Sequence, residues 1–456
     1  MNRSLNILRQ KLPLPGQRGS RTGVALFWWG VVAVVLSFLL PVNVLTVMGL
    51  NIFKLLPTTY AALIGGLFAL GAVSFHQRCR EAPGLMLYIF AIPALGLYSA
   101  YWQGFSGTAV YLETYWIAGL LALMLEPASA KQKRILAGIL ITLCLLNVLV
   151  SVQESLTQTN WFPLVIDPDK DPLAQVTEDF RAHGFYSHPL NAALITSMAV
   201  YLLYAMRLRF ILAAPIFGML LLSMLAFGGR TALGVTLILS ILTAAYLLFR
   251  GLLQKSLKLD FVLSISFALV FVPLIIAIVA TQTTIADRIM DNLYYDDSAA
   301  VRATQWEVLR YLNLRNWLFG IPHVDLEILK YQISLGGKDT DIENCWLLMF
   351  LNLGGIGFLV FLVILGAFTV HLGRQSGSMF GWLMIISSMV IDSTSNSLGV
   401  RTNDLLLEVA FAVAISGYKD FKPARGVQRR LGQTIGWHHK GSLSNVPIGV
   451  HTMRLR

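Results

Sequence analysis

Phe180–Ala193 reads FRAHGFYSHPLNAA, a polar segment carrying Arg181, His183 and His188 that runs straight into Pro189 and an apolar stretch. Proline suits the first turn of a helix, where its missing N–H is not needed. The join therefore marks where the chain passes from a polar loop into a hydrophobic helix. Its neighbours make that helix a membrane span: apolar runs of roughly 18 or more residues recur along the chain, each able to cross ~30 Å of hydrocarbon. A helix is the spanning form that satisfies its own backbone hydrogen bonds, and the alternating short strands of a membrane barrel are missing from the pattern. Composition agrees, with 56% hydrophobic and 13% charged residues, against about a quarter charged in soluble chains.

Working outward, the pattern predicts an all-α polytopic bundle of about twelve spans, near 23–41, 58–76, 84–100, 107–125, 135–153, 188–206, 210–227, 231–249, 261–281, 345–370, 378–396 and 403–418. Residues 1–22 form a basic tail, 23–418 the bundle and 419–456 a second basic tail. No small-residue cleavage site ends the first apolar run, so a cleavable signal peptide is not expected. With both termini cytoplasmic, most of the 35 Lys and Arg fall on the inner side and most of the 24 acids on the outer side, as the positive-inside rule requires. The net charge of +11 thus reports orientation, not a nucleic-acid partner. Cys79, Cys144 and Cys345 compose neither a disulfide framework nor a metal site, and His438–His439 lacks further ligands at metal spacing. Neither a metal nor a cofactor is expected. Two outer segments are long, 154–187 and 282–344, and the second exceeds a simple connector.

Candidate chemistry gathers on that outer side. Arg230 lies in AFGGRTALG between two apolar runs with almost no loop. It either snorkels from a helix end or serves a polar cavity, and Gly228 and Gly229 permit close helix approach. Arg181 and Arg302 occupy the two long segments. Each can pair with a local acid, or converge with Arg230 on a diphosphate, for which planar guanidinium groups are suited. His188 fits a helix cap, a phosphate donor or a general base; His183 is a second candidate of the latter kinds. Tyr186 offers a flat surface for a sugar ring. In SAAVRATQWEVLRYLNL an amphipathic helix is expected, with Val301, Val308, Leu309 and Leu312 on one stripe and Arg302, Trp306 and Arg310 on another. Asp341 and Glu343 stand just outside the tenth span, where a carboxylate can accept a proton from a hydroxyl or cap the helix. A further polar cluster, Asp392, Asn396, Arg401, Asn403, Asp404 and Glu408, either lines the same cavity or forms a hydrated turn.

Three passages, RAHGFYSHPLNAALI, SMLAFGGRTALGV and ENCWLLMFLNLGGIGFLVFL, together with Arg302 and WEVLRYLNLRNWLFGIP, resemble the O-antigen ligase and polysaccharide polymerase superfamily of bacterial inner membranes. The likeness runs from about Arg181 to Leu362. Many members carry His-Asn where this chain has Glu343-Asn344; with His188-Pro189, this places the chain nearest the exopolysaccharide polymerase branch. The resemblance implies a bundle like that of lipid-dependent glycosyltransferases, with the two long segments periplasmic. It implies metal-independent, inverting transfer of undecaprenyl-diphosphate-linked glycan in the inner membrane, in contact with membrane lipid and other exopolysaccharide assembly proteins. On that reading Arg181, Arg230 and Arg302 hold the diphosphate, Glu343 activates the acceptor and His188 assists, while His183, Tyr186, Trp306, Arg310 and Asp341 line the substrate. A ligase passing finished glycan to a lipid or protein, and a flippase or transporter, are the alternatives.

Overall fold

The computed structural model describes residues 21–50, 55–72, 75–103, 105–163, 180–253, 305–334, 342, 344–395 and 397–418. Among these, all regular structure is helical. In chain order the helices are α1 (Arg21–Leu39), α2 (Val42–Val47), α3 (Pro57–Ala72), α4 (Phe75–Glu81), α5 (Pro83–Gln103), α6 (Phe105–Val110), α7 (Ile117–Leu125), α8 (Ala130–Thr157), α9 (Pro189–Met206), α10 (Phe210–Ala226) and α11 (Arg230–Leu253). After a gap in the described chain come α12 (Leu314–Phe319), α13 (His323–Ser334), α14 (Cys345–Ser376), α15 (Met379–Asp392) and α16 (Asp404–Ser416). A π-helical turn, Tyr111–Trp116, joins α6 to α7, and a 3-10 turn, Gln305–Tyr311, precedes α12.

Among the described residues, seven helical stretches are long and apolar enough to cross a membrane: Arg21–Leu39, Pro83–Trp102, Thr108–Leu125, Ala130–Thr157, Pro189–Met206, Arg230–Leu253 and Cys345–Ser376. Pro57–Ala72, Ile211–Ala226 and Met379–Asp392 are shorter apolar helices. The chain is thus a multi-pass helical membrane protein. The span expected near 261–281 lies outside the described residues.

The centre of the bundle is made by largely apolar helices whose neighbours cover every face. Each residue of α7 and of α16 is buried, and α9 is nearly so. Around α16 pack α7, α8, α9, α14 and α15. By contrast α11 presents Ile238, Leu242, Phe249 and Leu253 outward, as a lipid-facing helix does.

The two ends of the bundle differ. At the basic end, Ser129 and Gln132 form a capping box that starts α8. Nearby, Arg134 Nε donates to Gly417 O at 3.0 Å and His371 Nε2 meets Glu126 Oε1 at 2.8 Å. Arg207 and Arg209 flank the turn between α9 and α10 at this same end, and Arg374 ends α14. The opposite end collects the start of α9, the α10–α11 turn, the start of α14 and the end of α15. It is the end on which Arg181, His183, Tyr186, His188 and Arg230 fall.

Candidate functional site

The loop before α9 is fastened by side chains of other elements. Glu154, near the end of α8, is fully buried. Its Oε2 accepts from His183 N at 3.0 Å and Gly184 N at 2.7 Å, and its Oε1 accepts from Trp161 N at 2.9 Å. Two turns earlier on the same face, Asn147 Oδ1 accepts from Phe185 N at 2.8 Å. From the α1–α2 region, Asn43 Nδ2 donates to Tyr186 O at 3.2 Å and Phe162 O at 3.1 Å. These contacts satisfy backbone groups that a buried loop would otherwise leave unpaired. The sequence reading missed Glu154, Asn147 and Asn43. The available signal was Asn147, Ser151 and Glu154 at i, i+4 and i+7 in an apolar helix.

That fastening delivers Arg181 to the α10–α11 turn. Gly228 has φ +66 and lies under the aliphatic stem of Arg181, where an added Cβ would sit 3.6 Å from Arg181 Cδ. Gly229 packs on Ala193 so closely that any Cβ there would collide with the alanine methyl. Only glycine gives both the positive φ and the contact. Arg230 follows at once as the first residue of α11. Arg181 and Arg230 thereby line one cleft of about 70 Å³, together with Gly228, Thr231, Thr394 and Ser395. Ala193, Ala232 and Ile391 give it apolar lining, and among the described residues that line it there is no carboxylate. Two guanidinium groups around so small a space suit one compact oxyanion.

His188 adjoins this cleft through Leu190, a lining residue. It is the N-cap of α9, its Nδ1 accepting from Leu190 N at 3.2 Å. The capping bond assigns the neutral tautomer with hydrogen on Nε2. The residue has an exposed edge but is walled by protein, and this burial, with the charges of Arg181 and His183, pushes its pKa down to about 4. His188 is therefore neutral at pH 7, its basic nitrogen is engaged, and Nε2–H remains a hydrogen-bond donor. A general-base role does not fit this geometry; donation to an oxyanion does.

Two further residues of the same loop are buried. His183 is buried, its Nδ1 within 3.2 Å of Gly184 O, and burial lowers its pKa against the pull of Glu154. It braces the loop from within. Tyr186 is also buried, with its ring 5.5 Å from that of Phe38 and its pKa raised well above the ordinary value by burial. It offers no face to a sugar because α1 covers it.

Of the second long segment, Arg302, Asp341 and Glu343 lie outside the described residues. Trp306 and Arg310 are exposed on the 3-10 turn and do not line the cleft. The expected α-helical stack of Trp306 on Arg310 is absent, since four residues turn through more than one circuit at three residues per turn. The apolar stripe of Val308, Leu309 and Leu312 does pack inward. The start of α14 is tied to the cleft wall: Asn344 Nδ2 donates to Ser393 O at 3.2 Å, Cys345 N to Ser395 O at 3.0 Å, and Asn344 N to Gln305 Oε1 at 3.1 Å.

The later polar cluster is not a hydrated turn. Asp392, Asp404 and Glu408 are buried, and Asp404 Oδ2 and Glu408 Oε1 have no hydrogen-bond partner among the described residues. Arg401 instead pairs with buried Glu113 on the π-helical turn, whose Oε1 also accepts from Leu56 N at 2.9 Å. Asn396 is outside the described residues. No group of three or more His, Cys, Asp or Glu among the described residues is placed to hold a metal ion.

Comparison with known proteins adds no name to this geometry: no family model matches the chain, and neither a curated protein nor a solved structure does.

Proposed function

We propose that the chain is a membrane glycosyltransferase that joins undecaprenyl-diphosphate-linked glycan units into an exopolysaccharide on the periplasmic side of a bacterial inner membrane. The observation that carries this reading is the meeting of Arg181 and Arg230, 49 positions apart in the chain, on one cleft. In the proposed reaction they grip the donor diphosphate and offset the charge that grows on it as the sugar leaves. His188 Nε2–H adds a neutral donor, and Arg302 supplies a third cation from the long segment. Glu343, adjoining Asn344 at the start of α14, takes the proton of the acceptor hydroxyl. Neither a metal nor a cofactor has a part. The twelve-span topology with both termini cytoplasmic belongs to this proposal, supported by the Arg and Lys gathered at the basic end.

Purified chain in nanodiscs, given lipid-diphosphate-linked oligosaccharide, should lengthen the glycan and release lipid diphosphate. Release with attachment to a separate lipid or protein would favour the ligase form of the same chemistry. A transporter is the second reading, favoured by one observation: Asp392, Asp404 and Glu408 are buried in the bundle interior, where ionisable groups commonly mark a substrate or proton path. Uptake of lipid-linked glycan by vesicles without chemical conversion would select it.

A further inference from the structure

The second long segment makes an unusual contact with α14. That element has 32 residues, more than the roughly 20 that a helix needs to cross a ~30 Å bilayer core. Arg374, in its last turn at the basic end, marks one boundary of the hydrocarbon. Roughly 20 residues back, about 30 Å along the axis, lies Gly354. At that residue the helix breaks, with φ 65 and ψ 174. Gly320, at the end of α12 with φ +93, rests directly against the break. A Cβ on either glycine would collide with the backbone of the other strand of chain. Ile321 N donates to Leu351 O at 2.8 Å, and Tyr98 OH of α5 donates to Phe319 O at 2.7 Å. The part of α14 beyond the break is covered by this arm, through Leu347, Leu348 and Leu351 against Val308, Ile321 and Leu326.

The arm thus reaches down to the level where hydrocarbon ends. There its other face is apolar and left exposed by the described residues: Leu314 (76% exposed), Trp317, whose ring edge meets Phe350 of α14, and Leu318 fall at i, i+3 and i+4 of α12, and Phe319 follows. Arg315 leaves this face and stands 5.0 Å over the Trp102 ring, beside the exposed Tyr101 at the end of α5. Below the break, Leu97 of α5 and Ile356, Leu359 and Val363 of α14 are exposed apolar residues, as lipid-facing helices carry. Aromatic residues with an Arg above and aliphatics below form the profile of a headgroup boundary.

We propose that α12 lies in the membrane interface, with Leu314, Trp317, Leu318 and Phe319 immersed at the boundary between headgroups and hydrocarbon, so that the partner of this face is the lipid bilayer. The depth of Gly354 and the contacts of α12 with the end of the apolar helix α5 carry the assignment, which does not depend on the reaction proposed above. Anchored so, the arm is held at a fixed height over the start of α14.

The test uses the full chain in a Cys79→Ser background, in phosphatidylethanolamine–phosphatidylglycerol nanodiscs. A nitroxide is placed at Leu318→Cys, with Leu97→Cys as the lipid-facing control and Glu327→Cys as the water-facing one. At position 318 oxygen should relax the label several-fold more effectively than a water-soluble nickel chelate, giving a ratio between those of the controls. A ratio equal to that at position 327 would put the arm in water and overturn the proposal. Protection from both reagents would mean that protein, such as a second copy, covers the face, and would equally overturn it. An unlabelled check is the fluorescence difference between the wild type and Trp317→Phe. Lipids brominated near the headgroup should quench Trp317, and an unquenched Trp317 contradicts the assignment.

Discussion

Two segments close the same end of the bundle, and they are fastened by opposite means. The loop Arg181–His188 is hung on buried polar side chains, Glu154, Asn147 and Asn43, through six hydrogen bonds to backbone groups of that loop and of Trp161 and Phe162. The arm 305–334 is laid on α14 by apolar packing and by the glycine contact at Gly320 and Gly354. Hydrogen bonds fix position and direction together, whereas apolar contact is non-directional. The first suits a loop that must aim Arg181 and His188 at one cleft; the second suits an arm whose other face meets a fluid lipid surface.

Substitutions should separate the two. The largest effect is expected at Glu154→Ala, which leaves three N–H groups without their acceptor at about 1–3 kcal/mol each. A fall in the thermal midpoint of the purified protein, with loss of transfer, is the expected outcome; Glu154→Gln should recover part of both. Arg230→Ala should lower the transfer rate by ~10²–10³-fold, the scale for removing one group that stabilises transition-state charge. The midpoint should barely move, because Arg230 is exposed at a helix start. Gly354→Ala forces a side chain into a left-handed conformation and against Gly320. A loss of about 1–3 kcal/mol is expected from the conformation alone, read as looser protease protection of the arm with the loop unaffected. His188→Ala is the mildest, about 1 kcal/mol for a lost cap, while His188→Asn should keep the cap and lose only the Nε2 donor.

The pH response follows from the same histidine. Its folded pKa of about 4 is depressed from an ordinary 6.5. The stability linked to it is complete above about pH 6.5 and is lost as pH falls toward 4. Transfer should therefore show no break from His188 between pH 7 and 8. An NMR titration of a histidine-labelled sample should find its resonance unmoved until well below pH 6.

Run length and hydropathy made the helical membrane character legible, because a span needs only enough consecutive apolar residues. The cleft was half legible: AFGGRTALG advertises a close helix turn with an Arg on it, and Arg181 sits in the polar stretch before α9. What the sequence hides is long-range. Tyr186 reads as exposed from its polar neighbours, yet α1 covers it with Phe38. Asp404 and Glu408 left a cavity lining and a hydrated turn equally open, yet every residue of α16 is buried. The 3-10 form of Gln305–Tyr311 escaped notice because Val308, Leu309 and Leu312 share a stripe in an α-helix and also pack inward in the tighter turn.

The most direct test is turnover by the purified chain in nanodiscs with a lipid-diphosphate-linked oligosaccharide as sole substrate. Lengthened glycan and released lipid diphosphate from the wild type, and neither from folded Arg181→Ala or Arg230→Ala, is the predicted result. Intact substrate after incubation with the wild type, or normal product from both arginine variants, would contradict it.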